Sequence, residues 1–248
     1  MRVRDCVIVL AAVAAAFVAG RYWFPSAASV TAYLEEHPEF LADRPELVDL
    51  ARPWAEARAT ERRRQQRRDL VATTWAGFLT ADSTPRFGAA TDPVAIVEFA
   101  DFACIPCKAS ADRLASLAGS NPDTQIVKVY VPSGDEGAEL AARVAIAVWQ
   151  HSAADYPEVH ADLMATPVAG LDARARLWLE EPRFAGGDLW RAVGGESVIA
   201  SLQHGRALFE ALDVRVVPSF LIDGQLLAGP VATAELQHAI DAARSAAR

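Results

Sequence analysis

The sequence predicts an α/β fold preceded by a helical amino-terminal region. Two patterns carry this prediction. An apolar strand, an amphipathic helix and a second apolar strand follow one another over residues 94–131, which indicates a βαβ unit. A strand, a two-residue turn, a short strand and a helix then close the chain over residues 214–246. Residues 134–213, between these two units, have helical periodicity throughout.

The composition is that of a globular protein with an acidic charge balance. Of 248 residues, 52% are hydrophobic and 23% are charged, so the chain has enough apolar material for a core. It has 24 basic and 32 acidic side chains and a net charge of −8, which disfavours general nucleic-acid binding. Three cysteines exclude a disulfide framework. The signatures HExxH, GxSxG and GxxxxGKS/T, typical of zinc proteases, serine hydrolases and P-loop proteins, are absent from the sequence.

The first 24 residues predict export from the cytoplasm. Arg2 and Arg4 precede an apolar run from Cys6 to Gly20, which is shorter than the roughly 20 residues of a membrane-spanning helix. Val18-Ala19-Gly20 is an acceptable signal-peptidase site, but the aromatic residues Tyr22–Phe24 are of the kind found at membrane interfaces. A cleaved signal peptide and an uncleaved anchor over residues 6–24 are therefore both compatible with the sequence. A helix buried in the folded domain is a weaker alternative.

Residues 25–80 predict a helical stalk. Apolar residues between Val30 and Leu50 recur at three- and four-residue steps and form a stripe. Six arginines lie between Arg58 and Arg68 with almost no apolar residue among them. This run favours a solvated connecting helix over an anionic membrane or nucleic-acid contact. Residues 81–92 predict a loop, so we expect a second domain over residues 81–248 that contains a helical insertion at about 134–213.

The same patterns predict the bounds of individual elements. In the βαβ unit, the helix begins near Cys104, runs to about Ala118 and ends at Gly119. The insertion contains four helical segments, and the last helix of the chain covers Val231–Ala246. Predicted strands cover Val94–Ala100, Gln125–Val131, Val214–Ile222 and Gln225–Leu227, and Asp223-Gly224 forms the turn between the last two.

A CxxC motif, Cys104-Ile105-Pro106-Cys107, lies between a strand and a helix of the βαβ unit. Two cysteines three residues apart at a helix start can form a disulfide, and the helix N-terminus favours the Cys104 thiolate. A thiolate attacks a disulfide through a mixed intermediate that a second cysteine resolves. A zinc site would need two further ligands, and a structural disulfide across so short a loop would remove little chain entropy. The motif therefore favours a redox pair.

The dipeptide Val217-Pro218 is a second feature, at the mouth of a strand rich in β-forming residues. A proline there costs a ladder hydrogen bond, so it normally marks an edge, a strand's first residue or a cis turn. Taken alone, the dipeptide favours an ordinary trans proline at a strand start.

Together, the CxxC motif, the helical insertion and the downstream proline resemble the DsbA-like branch of the thioredoxin superfamily, over about residues 85–245. The resemblance implies a thioredoxin-like fold with a helical insertion. It implies that Cys104 is the nucleophile, that Cys107 is the resolving cysteine and that Pro218 is a cis-proline facing the disulfide. Substrate is then expected to contact Val217 and the dipeptide Ile105-Pro106.

Three charged residues surround the motif. Glu98, six residues before Cys104, matches the buried acidic residue below the active site of this family. A carboxylate in an apolar strand is a candidate acceptor for the proton of the resolving thiol, and a surface glutamate on an edge strand is the alternative. Asp101 and Lys108 flank the motif, where their charges can tune the thiolate. Solvated surface charges are the simpler interpretation of both.

The stretch Tyr33-Leu-Glu-Glu-His-Pro-Glu-Phe-Leu41 is similar to the stalk of the suppressor of copper sensitivity protein C group. In that group a helical region trimerises thioredoxin-like domains. The resemblance implies an extracytoplasmic thiol-disulfide oxidoreductase that acts on exported cysteine-containing proteins and has a membrane redox partner. We expect no cofactor, no metal and no nucleic-acid partner. A homotrimer is expected, and the alternative is that the catalytic domain of the same chain covers the apolar stripe.

The dipeptide Ile105-Pro106 departs from the Pro-His usual in oxidising members and from the Gly-Tyr frequent in the copper-sensitivity group. No histidine adds positive charge beside Cys104, and Pro106 removes one backbone donor. Both differences stabilise the thiolate less, so oxidase, isomerase and reductase stay open. A non-catalytic chaperone or copper(I)-binding module on the same fold is the alternative function. Only two methionines are available as additional soft ligands, which disfavours it.

Overall fold

The computed structural model describes residues 27–89, 94–184 and 188–246. The chain divides into two units, Met1–Thr60 and Glu61–Arg248, and the boundary lies inside a long helix. The predicted signal peptide or anchor, residues 1–24, lies outside the described residues. Within the ranges that are described, no helix has both the length and the apolarity to cross a membrane.

The amino-terminal region is helical, as predicted. Its helices are α1 (Ala27–Glu36), α2 (Glu39–Ala42) and α3 (Pro45–Leu70). Prolines separate them, because proline fits the start of a helix, where no backbone donor is needed. After α3 the chain continues as a π-helical turn, Val71–Trp75, and a short helix α4 (Ala76–Thr80).

One mixed sheet of five strands organises the described part of the second unit, in the order β1-β3-β2-β4-β5. The central strand β2 pairs parallel with β3 and antiparallel with β4. The strands are β1 (Arg86–Gly88), β2 (Val94–Ala100), β3 (Thr124–Tyr130), β4 (Ser219–Ile222) and β5 (Gln225–Ala228).

Helices cover both faces of this sheet. Neighbouring residues of β2 point to opposite faces, so Ile96 shares a core cluster with Leu114, whereas Val97 shares another with Leu79 and Leu208. This two-sided burial explains the continuous apolar run of β2. The helices are α5 (Ile105–Ser120), the insertion helices α6 (Glu136–His151), α7 (Tyr156–Ala165), α8 (Leu171–Glu180), α9 (Asp188–Val193) and α10 (Glu196–Ala211), and the last helix α11 (Thr233–Ala246).

Several element bounds differ from the sequence prediction. The short strand β1 lies inside the predicted loop 81–92, since three residues are too few to show an alternating pattern. Helix α5 continues through Gly119 and ends against Asn121, whose side-chain amide donates to the Leu117 carbonyl at 2.9 Å. Strand β4 begins at Ser219 rather than at Val214, because the preceding residues form a loop. Helix α9 is a short additional helix in the insertion.

The arginine-rich end of α3 contacts the β4–β5 turn within the second unit. Arg64 donates to the Asp223 carboxylate at 2.5 Å and to its backbone carbonyl at 3.0 Å, and Arg68 donates to the same carboxylate at 3.0 Å. A Cβ atom on Gly224, where φ is +75°, would overlap the Arg64 carbonyl oxygen. The interpretation of this run as a solvated connecting helix is therefore wrong at its carboxyl-terminal end.

Candidate active site

The CxxC motif lies where the central strand leads into α5. Cys104 is the N-cap of α5, and Cys107 lies in its first turn. The two cysteines form a disulfide, with their Cα atoms 5.2 Å apart. The Cys107 backbone N–H donates to Cys104 Sγ at 3.1 Å, so the positive end of the helix is directed at this sulfur. Cys104 is half-buried and Cys107 is fully buried, which leaves Cys104 as the sulfur that another molecule can reach.

The loop before β4 faces the disulfide. The Val217–Pro218 peptide bond is cis, as the resemblance to the DsbA-like branch implied. The Val217 carbonyl oxygen lies 3.5 Å from Cys104 Sγ. Ile105 and Pro106, which follow Cys104 directly in the chain, are exposed, and Ile105 is 73% accessible. The reachable sulfur therefore lies next to two accessible apolar residues in the chain and to the Val217 carbonyl.

Glu98 is buried in the centre of the sheet. It pairs in register with Lys128 on β3, and the two side chains form an ion pair in which each is 1% exposed. Glu98 Oε1 is also buried and accepts no hydrogen bond from the residues described. The alternative of a surface glutamate on an edge strand is wrong, because β2 has neighbours on both sides.

A buried cluster of aromatic hydroxyls and an imidazole lies next to this ion pair, and the sequence analysis missed it. The Tyr130 hydroxyl is 2.7 Å from the Tyr156 hydroxyl and 2.8 Å from His160 Nδ1. Burial holds the pKa of His160 well below its usual value, and the positive charges of Lys128 and Lys108 lower it further. Burial likewise raises the pKa of Tyr130 well above its usual value. The only sequence signal was the i, i+4 spacing of Tyr156 and His160, which reads as an ordinary apolar helix face.

Asp101 is not a solvated surface charge. It is 2% exposed, and its Oδ1 accepts from the Ala103 N–H at 2.9 Å. Its Oδ2 accepts from the backbone N–H of Ser133 at 2.9 Å and from the Ser133 hydroxyl at 2.6 Å. Two acceptor oxygens and three donors are the hydrogen-bonding pattern of an ionised carboxylate. The surface interpretation of Asp101 is therefore wrong.

Lys108 is not a solvated surface charge either. Its Nζ donates to the backbone carbonyls of Leu163, Met164 and Thr166 at 3.1, 3.2 and 2.7 Å, at the carboxyl-terminal end of α7. A cation there is favourable because helix carbonyls carry partial negative charge. Burial lowers the pKa of Lys108, and the neighbouring Asp101 carboxylate partly offsets this. The residue directly after the CxxC motif therefore ties α5 to the insertion.

Solved structures with the same architecture are known. A thioredoxin-like oxidoreductase from Silicibacter pomeroyi DSS-3 matches with a TM-score of 0.61 and 26% identity, over 70% of this chain and 99% of that one. Proteus mirabilis ScsC in a transitional conformation matches with a TM-score of 0.62 and 18% identity, over 88% and 96% of the two chains. The chain has a DsbA/ScsC-like thioredoxin fold.

This DsbA/ScsC-like fold confirms the fold class and the resemblance predicted from the sequence. A further match is the thiol-disulfide exchange protein alpha-DsbA2 from Wolbachia pipientis, with a TM-score of 0.62 and 17% identity, over 73% and 97% of the two chains. No protein-family model and no curated protein sequence matches the chain. The likeness therefore lies in the three-dimensional fold, with the Cys104–Cys107 pair at the strand-to-helix junction.

Proposed function

We propose that the chain is an extracytoplasmic thiol-disulfide oxidoreductase that uses Cys104 and Cys107 as its redox pair. The observation that carries this proposal is the unequal accessibility of the two sulfurs. Cys104 is half-buried beside exposed apolar residues, whereas Cys107 is fully buried behind it. An accessible nucleophile with a protected resolving cysteine is the arrangement that thiol-disulfide exchange requires.

In the oxidising direction, a substrate thiolate attacks Cys104 Sγ and the Cys104–Cys107 bond breaks. Its electron pair goes to Cys107 Sγ, which takes up a proton, and the substrate is held as a mixed disulfide. A second substrate thiolate then attacks the substrate sulfur and displaces the Cys104 thiolate. One substrate disulfide has formed and the redox pair is left as a dithiol. The reverse sequence reduces a substrate, and isomerisation begins and ends with the Cys104 thiolate.

The surrounding groups have distinct roles in this proposal. The Cys107 N–H and the α5 N-terminus stabilise negative charge on Cys104 Sγ. The cis Val217–Pro218 bond presents backbone to the disulfide, and Val217 with the exposed Ile105 and Pro106 contacts substrate. The unpartnered Oε1 of Glu98 is an acceptor for the proton of the Cys107 thiol.

The proposed substrates are exported proteins that contain cysteines, and a membrane protein is the proposed redox partner. The two arginines before the apolar run of residues 6–20 support the extracytoplasmic location. An oxidising compartment also permits a disulfide in the resting protein.

We further propose that the predicted stalk, residues 25–80, assembles copies of the chain as a trimer through the part that precedes residue 61. Large apolar side chains of the first unit are exposed, with Leu50 at 72% and Trp54 at 74%. Exposed apolar side chains of this size are stabilised when another surface covers them, and closed rings are a common result of self-association. Several active sites around one cavity would hold a misfolded substrate for repeated exchange, which favours isomerisation.

The test of the redox proposal compares Cys104→Ser with Cys107→Ser in insulin reduction and in oxidation of a dithiol peptide. We expect Cys104→Ser to abolish exchange, because no accessible sulfur remains. Cys107→Ser should instead accumulate mixed disulfides, since the resolving thiol is missing. Activity near that of the wild type in Cys104→Ser contradicts the assignment. Tight copper(I) binding by a wild-type protein without exchange activity supports the binding-module alternative instead.

A further inference from the structure

We infer that Asp101 and Lys108 set the redox potential of the Cys104–Cys107 pair by acting in opposite directions on the Cys104 thiolate. Asp101 destabilises this thiolate, and Lys108 stabilises it. The inference rests on the proposed function, because it concerns the equilibrium of the same cysteine pair. It assigns to two buried or half-buried charges the electrostatic role that a histidine inside the motif would otherwise have.

The Asp101 carboxylate is held in place beside the nucleophile. Asp101 lies in the turn that carries the nucleophile, since the Cys104 N–H donates to its backbone carbonyl at 3.1 Å and the Ala103 N–H donates to its Oδ1 at 2.9 Å. The two hydrogen bonds from Ser133 hold the other carboxylate oxygen, Oδ2. The negative charge is therefore fixed in place and shielded from water. A like charge close to a thiolate disfavours the charged form.

The Lys108 ammonium is the second charge held close to the motif. Its three hydrogen bonds to Leu163, Met164 and Thr166 point it at the end of α7. The cation is held in the neighbourhood of Asp101, whose charge raises the Lys108 pKa. Since Lys108 is half-buried whereas Asp101 is 2% exposed, water screens the cation more than the carboxylate, and we expect its effect on Cys104 to be smaller.

The other ionisable groups around the cysteine pair are either paired or neutral. Glu98 and Lys128 form an ion pair, so their opposite charges largely cancel at a distance. His160 and Tyr130 are kept neutral near pH 7, because burial lowers the pKa of the imidazole and raises that of the phenol. Changes at Asp101 and Lys108 therefore alter the net field at the motif without moving a proton elsewhere in this cluster.

The charge on reduced Cys104 is linked to the redox equilibrium. Two glutathione thiols pass two electrons and two protons to the Cys104–Cys107 disulfide, which yields two cysteine thiols and one glutathione disulfide. The Cys104 thiol then releases its proton to the extent that its thiolate is stabilised. A more stable thiolate therefore makes the pair more oxidising, and a tenfold change in this equilibrium constant corresponds to about 30 mV.

The experiment measures two quantities on the full chain for Asp101→Asn and Lys108→Gln. One is the Cys104 pKa, from the ultraviolet absorbance of the thiolate in reduced protein, and the other is the equilibrium constant with glutathione. We expect Asp101→Asn to lower the Cys104 pKa and to shift the equilibrium about tenfold toward the dithiol. Lys108→Gln should raise this pKa and shift the equilibrium about threefold toward the disulfide.

Two control variants separate charge from structure. Ser133→Ala loosens the same turn and leaves the Asp101 charge in place. Asp112→Asn removes an equal charge from an exposed position on α5, the helix that carries Lys108. Each control should change the equilibrium constant less than twofold. If Asp101→Asn does not fold, the opposite shift expected of Lys108→Gln still tests the inference.

Shifts in the same direction for both charge variants would overturn the inference, as would shifts no larger than those of the controls. A Ser133→Ala shift equal to that of Asp101→Asn would assign the effect to turn geometry instead. If wild-type protein does not equilibrate with glutathione, the proposed function fails. The Cys104 pKa then still decides whether the two charges act on this sulfur.

Discussion

The two units of the chain place their apolar residues differently. Every described residue of the first unit, 27–60, is exposed or half-buried, and Leu50 and Trp54 are largely accessible. In the second unit, helix α6 alone buries nine of its 16 residues. The second unit therefore has its own core, whereas the apolar residues of the first are not covered within that unit. Similar hydrophobic spacing in a sequence can thus indicate either a core or a surface for association.

The change between these two regimes occurs within one continuous helix. In α3, the residues before the boundary are nearly all exposed, and those after it include Arg64 and Arg68, which bond to Asp223. Leu70, Val71 and Trp75 then pack against the core that contains Leu79. The second unit accordingly begins at Glu61, and side chains before residue 81, the predicted start of the second domain, pack against its core.

The largest expected effect on stability comes from deletions that test where the second unit begins. A chain that begins at residue 61 should fold and retain exchange activity, because it keeps the second unit complete. A chain that begins at residue 81 loses the buried Leu79 and the side chains packed around it, and should be destabilised by at least about 3 kcal/mol. Urea unfolding checks this difference.

Light scattering of the same proteins tests assembly. The chain that lacks residues 1–24 should be an oligomer, and the one that begins at residue 61 should be a monomer at the same concentration. Equal stability of the two deletion forms would contradict the boundary, and monomers throughout would contradict the stalk proposal.

A smaller effect is expected from Asp223, which anchors the end of α3 within the second unit. Asp223→Asn removes the carboxylate that Arg64 and Arg68 share, although Arg68 keeps its ion pair with Glu61, and should lower the free energy of unfolding by about 2 kcal/mol. The matched control is Asp213→Asn, which removes an exposed ion pair with Arg215 and should have little effect. Denaturant unfolding of both variants provides the comparison, and equal effects would show that the Asp223 contacts are not stabilising.

The pH dependence of stability tests the buried interior of the second unit. The folded-state pKa of His160 is lowered, so only the unfolded chain takes up this proton below about pH 6.5. Stability is therefore fully present above that pH and is lost as the pH falls. Between pH 7 and 5.5 the loss should be about 1 kcal/mol. His160→Phe keeps a buried ring without the titration and should show a flatter profile, and an unchanged profile would assign the pH dependence to other groups.

The smallest effect on folding is expected in the first unit. Leu50→Ser together with Trp54→Ser changes exposed residues and should leave the unfolding of the second unit unchanged. The same double variant should weaken self-association, which sedimentation or light scattering measures. A matched double variant in the second unit, Leu177→Ser with Trp190→Ser, also changes exposed residues and should leave assembly intact. Equal effects of both pairs on assembly would argue against the stalk.

Local pattern was sufficient for much of the fold and for the centre of the site. Local pattern placed the CxxC motif at a helix start, whereas the cis Val217–Pro218 bond and the buried position of Glu98 were anticipated through the resemblance to the DsbA-like branch. The interpretations of Asp101 and Lys108 failed because their partners come from other elements. The Tyr130–His160 contact was missed because nothing local marks it.

The sequence alone located four of the five strands of the described sheet, most of the helices and the cysteine pair, because periodicity and helix-start chemistry act over a few neighbouring residues. Which charges are buried around that pair, and where the second unit begins, depended on the tertiary structure. Tyr130 and His160 are 30 residues apart in the chain, and Arg64 and Asp223 are 159 apart. Contacts over such separations follow from strand order and helix packing, which no local pattern encodes.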